Sequence, residues 1–361
     1  MHSSSSEARF LTTLIVTLIL VGYSVPAISQ QRVESISEQR DRAIQLYKQG
    51  DAKGAATILA EVVRQDKSDS DAWYFLGLAL VRNDDLRNAR KAFEATVKLK
   101  PDFGLAHTGL AYTLMAAAKN EEAAREARRA IELNAVDPEA HYILGVMHLR
   151  LGRNGDAMRE AELAITQKPN LATAYLLKSQ TLMAIEREAS VESGNVVRVQ
   201  AKELTKEERE ERRQRYRKSV ESFAAAADAL QTYLKLAASD KETAFWQEQL
   251  ETLRAFSGSK QGTEPDFVSG SEVTTKVRVL RKPDPAYTEQ ARRAQIAGTV
   301  ILRAVFTSKG TVEHILVLRS LPAGLTEEAV RAARQIKFTP ATKNGKPVSM
   351  IMELQYNFNL Y

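Results

Sequence analysis

The chain has 361 residues, 51 Lys and Arg against 45 Asp and Glu, and no cysteine. Disulfides and thiolate chemistry are excluded, and a 44% hydrophobic content over this length is enough for two or three packed units. The basic excess is local: residues 273–361 carry 14 Lys and Arg against 6 Asp and Glu, a surplus that suits an acidic partner, anionic lipid or nucleic acid, or simply a soluble basic surface.

Residues 10–25 form an apolar run of 16 positions behind Arg9, followed by Pro26-Ala-Ile-Ser29 and Gln30. The run is short for a bilayer span, and Ala27 and Ser29 are the small residues that a signal peptidase accepts. Residues 1–29 therefore read as a cleaved signal peptide, with an uncleaved anchor as the alternative. Both export the rest of the chain.

Small residues then recur with a period of 34: Ala43, Gly77, Ala111, Gly145 and Ser179, with a second series at Ala55, Ala89, Ala123 and Ala157. Trp73-x-x-Leu76-Gly77 and His141-x-x-Leu144-Gly145 share one phase, and Pro101 and Pro169 close units. Each unit is expected to be two amphipathic helices that approach closely at the small residues. The pattern resembles the tetratricopeptide repeat (TPR), with units at 36–69, 70–103, 104–137 and 138–171. Ala135, Arg42 and Lys178 depart from it, as outer repeats commonly do.

That resemblance implies a groove lined by the first helix of each unit. Carried over by phase, the lining is Arg40, Ile44 and Tyr47, then Tyr74, Leu78 and Val81, then Thr108, Tyr112 and Met115, then Tyr142, Val146 and Leu149. Rigid aromatic rings on such a face suit peptide binding. The Asn and Lys with which some family members clamp a C-terminal carboxylate are replaced here by Ile44, Leu78, Tyr112 and Val146. His107 and His141 occupy the phase of Trp73, with His148 two turns beyond His141. A metal pair there is conceivable, but that phase packs between helices and reads as structural.

A fifth unit, 172–238, is interrupted by 28 residues that include the charge-rich segment 186–210. Residues 202–218 mix Lys, Arg and Glu and suit a solvated helix rather than a nucleic-acid stripe. Tyr216, Val220, Phe223, Ala227, Leu230, Leu234 and Ala237 then mark a helix that packs as the array's end. Phe245, Trp246, Leu250 and Leu253 mark a closing helix within 240–257, so the array spans 36–257. Gly258, Gly262, Pro265 and Gly270 make 258–272 a flexible linker.

In the last part, 273–361, Val300, Leu302, Ala304 and Phe306 alternate, Ser308-Lys-Gly310 breaks the run, and 312–318 form a second apolar stretch: a hairpin. Thr326 opens a helix with Glu327 and Glu328 in its first turn. Asn344-Gly345 is a turn, and residues 350–358 a final strand. The positions Tyr287, Gly298, Val300, Gly310, Val312, Phe338, Pro340, Ala341, Asn344, Gly345, Lys346, Pro347 and Val348 resemble the TonB C-terminal domain family, with Thr288 in place of its Pro. The resemblance implies a periplasmic module that adds a partner's extended segment to its sheet edge.

The expected architecture is a multidomain chain, an all-α TPR solenoid followed by a small α+β domain with a three-stranded antiparallel sheet. The expected open edge is the last strand, at Met350, Met352, Leu354, Gln355, Tyr356, Asn357 and Phe358, with Lys343, Lys346 and Arg334 nearby to favour acidic flanks. No His-Glu-x-x-His, Gly-x-Ser-x-Gly or phosphate-cradling loop is present in the sequence. The functional expectation is a non-enzymatic periplasmic adapter without cofactor. Its expected partners are envelope or outer-membrane proteins, not nucleic acid, and it touches membrane only through its N-terminal segment. The alternatives are an energy transducer anchored in the inner membrane and an envelope enzyme. The first is weakened by the absence of a His in residues 10–25 and of a Pro-rich spacer.

Overall fold

The computed structural model describes residues 34–134, 136–192, 206–237, 243–258, 267–268 and 273–360. The N-terminal run, Ala135 and most of the expected linker lie outside these residues.

Eight helices form four antiparallel pairs: α1 (Ile36–Gln49) with α2 (Ala52–Gln65), α3 (Ser70–Arg82) with α4 (Leu86–Leu99), α5 (Gly104–Ala116) with α6 (Asn120–Leu133), and α7 (Pro138–Arg150) with α8 (Asn154–Gln167). Aspartates set several of the helix starts. Asp51, Asp69, Asp85 and Asp137 each accept a backbone N–H three residues on, from Gly54, Ala72, Asn88 and Ala140, which satisfies donors that a first turn leaves free. The turn inside each pair passes through a left-handed residue at one phase, Gly50, Asp84, Ala118 and Gly152, with φ of 98°, 60°, 57° and 73°.

The small-residue series marks where helices touch. Ala43 and Ala111 are fully buried, and a methyl added to Gly77 would lie 2.7 Å from the Phe93 ring. Any larger residue at position 77 must displace that ring.

The interrupted unit continues as α9 (Ala172–Glu192), α10 (Lys206–Leu236) and α11 (Thr243–Phe256). Thus much of the expected charged insertion is helix at either end, and residues 193–205 lie outside the described part. Phe223, Ala226, Ala227, Leu230 and Tyr233 of α10 pack with Met183 of α9 and with Leu250, Leu253 and Phe256 of α11. The apolar face of α10 is thus covered by the helices that precede and follow it in the chain.

The C-terminal part adds β1 (Phe267–Val268), β2 (Arg278–Arg281), α12 (Glu289–Arg293), β3 (Gly298–Phe306), β4 (Val312–Arg319), α13 (Leu325–Arg334), β5 (Lys337–Thr339), β6 (Ala341–Lys343) and β7 (Lys346–Phe358). The main sheet runs β1-β7-β3-β4, and β6 also pairs with β7. The three antiparallel strands expected are its centre, but the sheet is larger, because β1 lies parallel against Ser349 and Met350 and β6 folds back through the Asn344-Gly345 turn. β2 and β5 form a separate two-stranded ribbon. Helix α13 starts at Leu325 after the left-handed Gly324, not at Thr326; the Thr326 hydroxyl instead bonds both backbone groups of Leu321.

Strand β3 is buried on both faces. Val300, Leu302, Ala304 and Phe306 face a core closed by α12 and α13, with Ile315, Leu325, Ala329, Leu354, Tyr356 and Phe358. Ile301 and Val305, with Leu316 and Leu318 of β4, join the cluster of α9, α10 and α11. The sheet is thus the middle layer between its own helices and the end of the array.

Candidate interaction surfaces

Along the first-helix faces, the positions expected to line a groove are largely spent on joining one unit to the next. Arg40 pairs with Asp69 at 3.2 Å, the Tyr74 ring meets Phe103 at 4.8 Å between centroids, and the Thr108 hydroxyl donates to Asp137 at 2.5 Å. These partners are all 29 residues ahead, at the start of the next first helix, so this phase fastens the solenoid. A second fastening recurs near the other end of these helices: Arg82 donates to the Tyr47 carbonyl at 2.9 Å, and Arg150 to that of Met115 at 3.2 Å. Arg82 also lies over the Tyr47 ring, 4.0 Å from its centroid.

Burial pushes the Tyr74 and Tyr142 hydroxyls up to about 12 and lowers the Arg150 guanidinium. Of Arg40, Tyr47, Tyr74, Leu78, Tyr112, Met115, Tyr142 and Val146, only Tyr112 is exposed. The stripe is therefore a half-buried seam with one open ring, because a residue that reaches across a repeat boundary is covered by the neighbour it holds.

The histidines at the repeat phase each pair with a glutamate of their own unit. His107 Nδ1 lies 2.6 Å from Glu126, with its Nε2 3.0 Å from the Pro101 carbonyl, and His141 Nδ1 lies 2.6 Å from Glu160. Both glutamates are on the second helix of the same unit, so each pair locks two helices. Burial lowers the affinity of His148 for a proton. Among the described residues no group of three His, Asp or Glu is placed to hold a metal ion.

The joint between array and sheet carries polar bonds that no local pattern announces. Arg303 of β3 pairs with Glu186 of α9 at 2.7 Å, with side chains 13% and 4% exposed, and the Ser219 hydroxyl donates to the same carboxylate. Arg187 pairs with Glu353 of β7 at 3.0 Å, and Arg334 with Glu248 of α11. Arg334 is thus committed to the array rather than to the final strand.

Gln249 of α11 closes the outer edge of β4. Its Nε2 donates to the Ile315 carbonyl at 2.9 Å, and its Oε1 accepts from the Val317 N–H at 2.8 Å. One side-chain amide thereby serves the two backbone groups that a neighbouring strand would serve.

The opposite edge differs. Strand β7 pairs with β3 without a register break from Met350 to Phe358. The Thr307 N–H bonds the Thr311 carbonyl, so odd-numbered backbone groups of β3 face β4 and even-numbered ones face β7. In β7 the even positions consequently bond β3, while Ile351, Glu353, Gln355 and Asn357 turn their backbone groups outward. The parallel pairing of β1 at Ser349 and Met350 reaches the Ile351 N–H, and from Glu353 on no described strand meets them. The Lys282 ammonium donates to the Gln355 carbonyl at 2.7 Å and lies 4.3 Å from the Tyr356 ring centroid.

The side chains of Met350, Leu354, Tyr356 and Phe358 are buried and Met352 is half-buried, whereas Gln355 and Asn357 are exposed. Any recognition along this strand must use backbone and the odd-numbered side chains. Among the described residues no helix is long and apolar enough to cross a membrane.

Residues 40–102 and 108–172 match the tetratricopeptide repeat family model, and residues 283–360 match the model of the Gram-negative bacterial TonB protein C-terminal domain. No curated protein matches the chain. Among solved structures, the MamA protein shares 19% identity at a TM-score of 0.41, covering 57% of this chain and 98% of its own. YrrB, a TPR protein with an unusual peptide-binding site, shares 18% at a TM-score of 0.39, covering 60% and 92%.

Proposed function

We propose that this chain, a tetratricopeptide-repeat protein ending in a TonB C-terminal domain, is an exported, non-enzymatic adapter of the bacterial envelope that takes a partner's extended segment along β7. The observation that carries the proposal is the asymmetry of the sheet edges. β4 is closed by Gln249, while β7 presents outward backbone groups from Glu353 to Asn357, where, among the described residues, only the Gln355 carbonyl is met, by the Lys282 ammonium. A row of free peptide groups binds an added strand with little regard for side chains. The apolar residues 10–25 and the small residues at Ala27 and Ser29 support export to the periplasm. Tyr112 supplies a second, smaller contact on the array.

Gln355→Pro and Asn357→Pro each remove an outward donor and leave the backbone bonds to β3 intact, although Asn357→Pro also removes the acceptor of the Thr299 hydroxyl. In cross-linked pull-downs from envelope extract, both full-length variants should lose the partners that the wild type captures while keeping its circular dichroism. Retention of every partner by both folded variants would remove the edge from consideration. The same preparation tests export, because the mature chain should begin at Gln30 by mass spectrometry.

A further inference from the structure

Strand β2 is exposed along its whole length and pairs only with β5, outside the main sheet. Cross-strand register puts Arg278 beside Thr339 on one face and Val279 beside Phe338 on the other. An irregularity at Leu280 then brings Arg281 opposite Lys337. Like charges directly opposed across a strand pair repel, and Lys276 and Lys282 add to the same field with no acidic residue in 276–282. Among the described residues Lys276, Arg278, Arg281 and Lys337 make no ion pair, and between the two arginines Leu280 is 60% exposed.

Both costs, unmatched cations and a wetted aliphatic side chain, are relieved together by a layer of anions over an apolar interior. An acidic peptide would answer the charges and leave Leu280 in water. We propose that the β2–β5 ribbon is a peripheral binding surface for anionic phospholipid membrane, with Arg278, Arg281 and Lys337 on the headgroups and Leu280 dipping between them. This contact is additional to the N-terminal segment and independent of strand addition at β7.

The lack of cysteine makes a local probe available. An environment-sensitive fluorophore on Leu280→Cys in the full chain should shift to the blue with phosphatidylethanolamine vesicles containing phosphatidylglycerol. It should stay unchanged with phosphatidylcholine vesicles. The same label on Thr57→Cys, in α2, should not respond to either. Raising salt from ~0.1 to ~1 M should reverse the shift, since the screening length contracts from ~10 to ~3 Å.

Arg278→Gln, Arg281→Gln and Lys337→Gln together should abolish the response and keep the melting temperature, because they also remove the repulsion. An equal shift with phosphatidylcholine, a shift that survives the triple variant, or the same shift with oligoglutamate and no vesicles would each overturn the proposal. The last of these would mark a surface for acidic protein segments instead.

Discussion

Glu186 and Arg303 form a buried ion pair across the joint of the molecule, 2.7 Å apart in space and 117 residues apart in sequence. Neither side chain has much water to fall back on, so each depends on the other. Arg303→Met or Glu186→Met alone should cost roughly 3–5 kcal/mol, whereas the double variant should recover most of that loss. Urea denaturation of the three variants checks this as a double-mutant cycle. Additive losses would show that the pair does not act as a unit.

Gln249 makes a related prediction at the edge of β4. Gln249→Ala strands the Ile315 carbonyl and the Val317 N–H, at ~1–3 kcal/mol for each group that stays dry. Gln249→Glu should be worse at Ile315, where a carboxylate would face a carbonyl. Hydrogen exchange read at the Val317 amide should accelerate in the alanine variant well before global unfolding.

Packing at Gly77 and Phe93 is equally specific. A methyl at position 77 would sit 2.7 Å from the Phe93 ring, so Gly77→Ala should destabilise by about 1–3 kcal/mol. Phe93→Leu in the Gly77→Ala background should restore part of the loss, although Phe93→Leu by itself is destabilising. Thermal melts of the four chains decide the sign of the coupling.

The tyrosines of the array should separate cleanly. Tyr74 lies among Phe75, Phe93 and Phe103, so Tyr74→Ala should cost about 3–5 kcal/mol, as truncation of a packed aromatic does. Tyr112 is 39% exposed, and Tyr112→Ala should leave stability nearly unchanged and report only on binding.

Alkali should unfold the chain through the same rings. Burial pushes Tyr74, Tyr142 and Tyr356 up to about 12, while an unfolded tyrosine ionises near pH ~10. Between those values the unfolded chain has released protons that the folded one keeps, so stability falls as pH rises. Denaturation midpoints should drop from pH ~9 upward, and Tyr142→Phe should flatten the slope.

The repeats were legible because close helix approach demands a small residue at a fixed period, and Ala43, Gly77, Ala111 and Gly145 obey it. The joint was not. Ile301 and Val305 alternate with Val300, Leu302, Ala304 and Phe306, so both faces of β3 are apolar, which is the pattern of a strand covered on both sides. Attention to one face alone conceals the other. Glu186 heads a charged segment and reads as solvated, since nothing nearby in the chain reveals Arg303. Arg40, Tyr74 and Thr108 lie on the first helices of their units, as the period implies. Their phase did not distinguish a side chain that faces an opening from one that clasps the next repeat.

Because β3 and β4 complete a core begun by α9, α10 and α11, time enters the picture. A chain that emerges N-terminus first delivers Met183, Phe223, Leu230 and Phe256 before Ile301, Val305, Leu316 and Leu318 are present to cover them. During that interval the array has an adhesive end, and a chain cut short after α11 would keep it permanently. Arrival of the last strands is therefore the step that covers this end of the array.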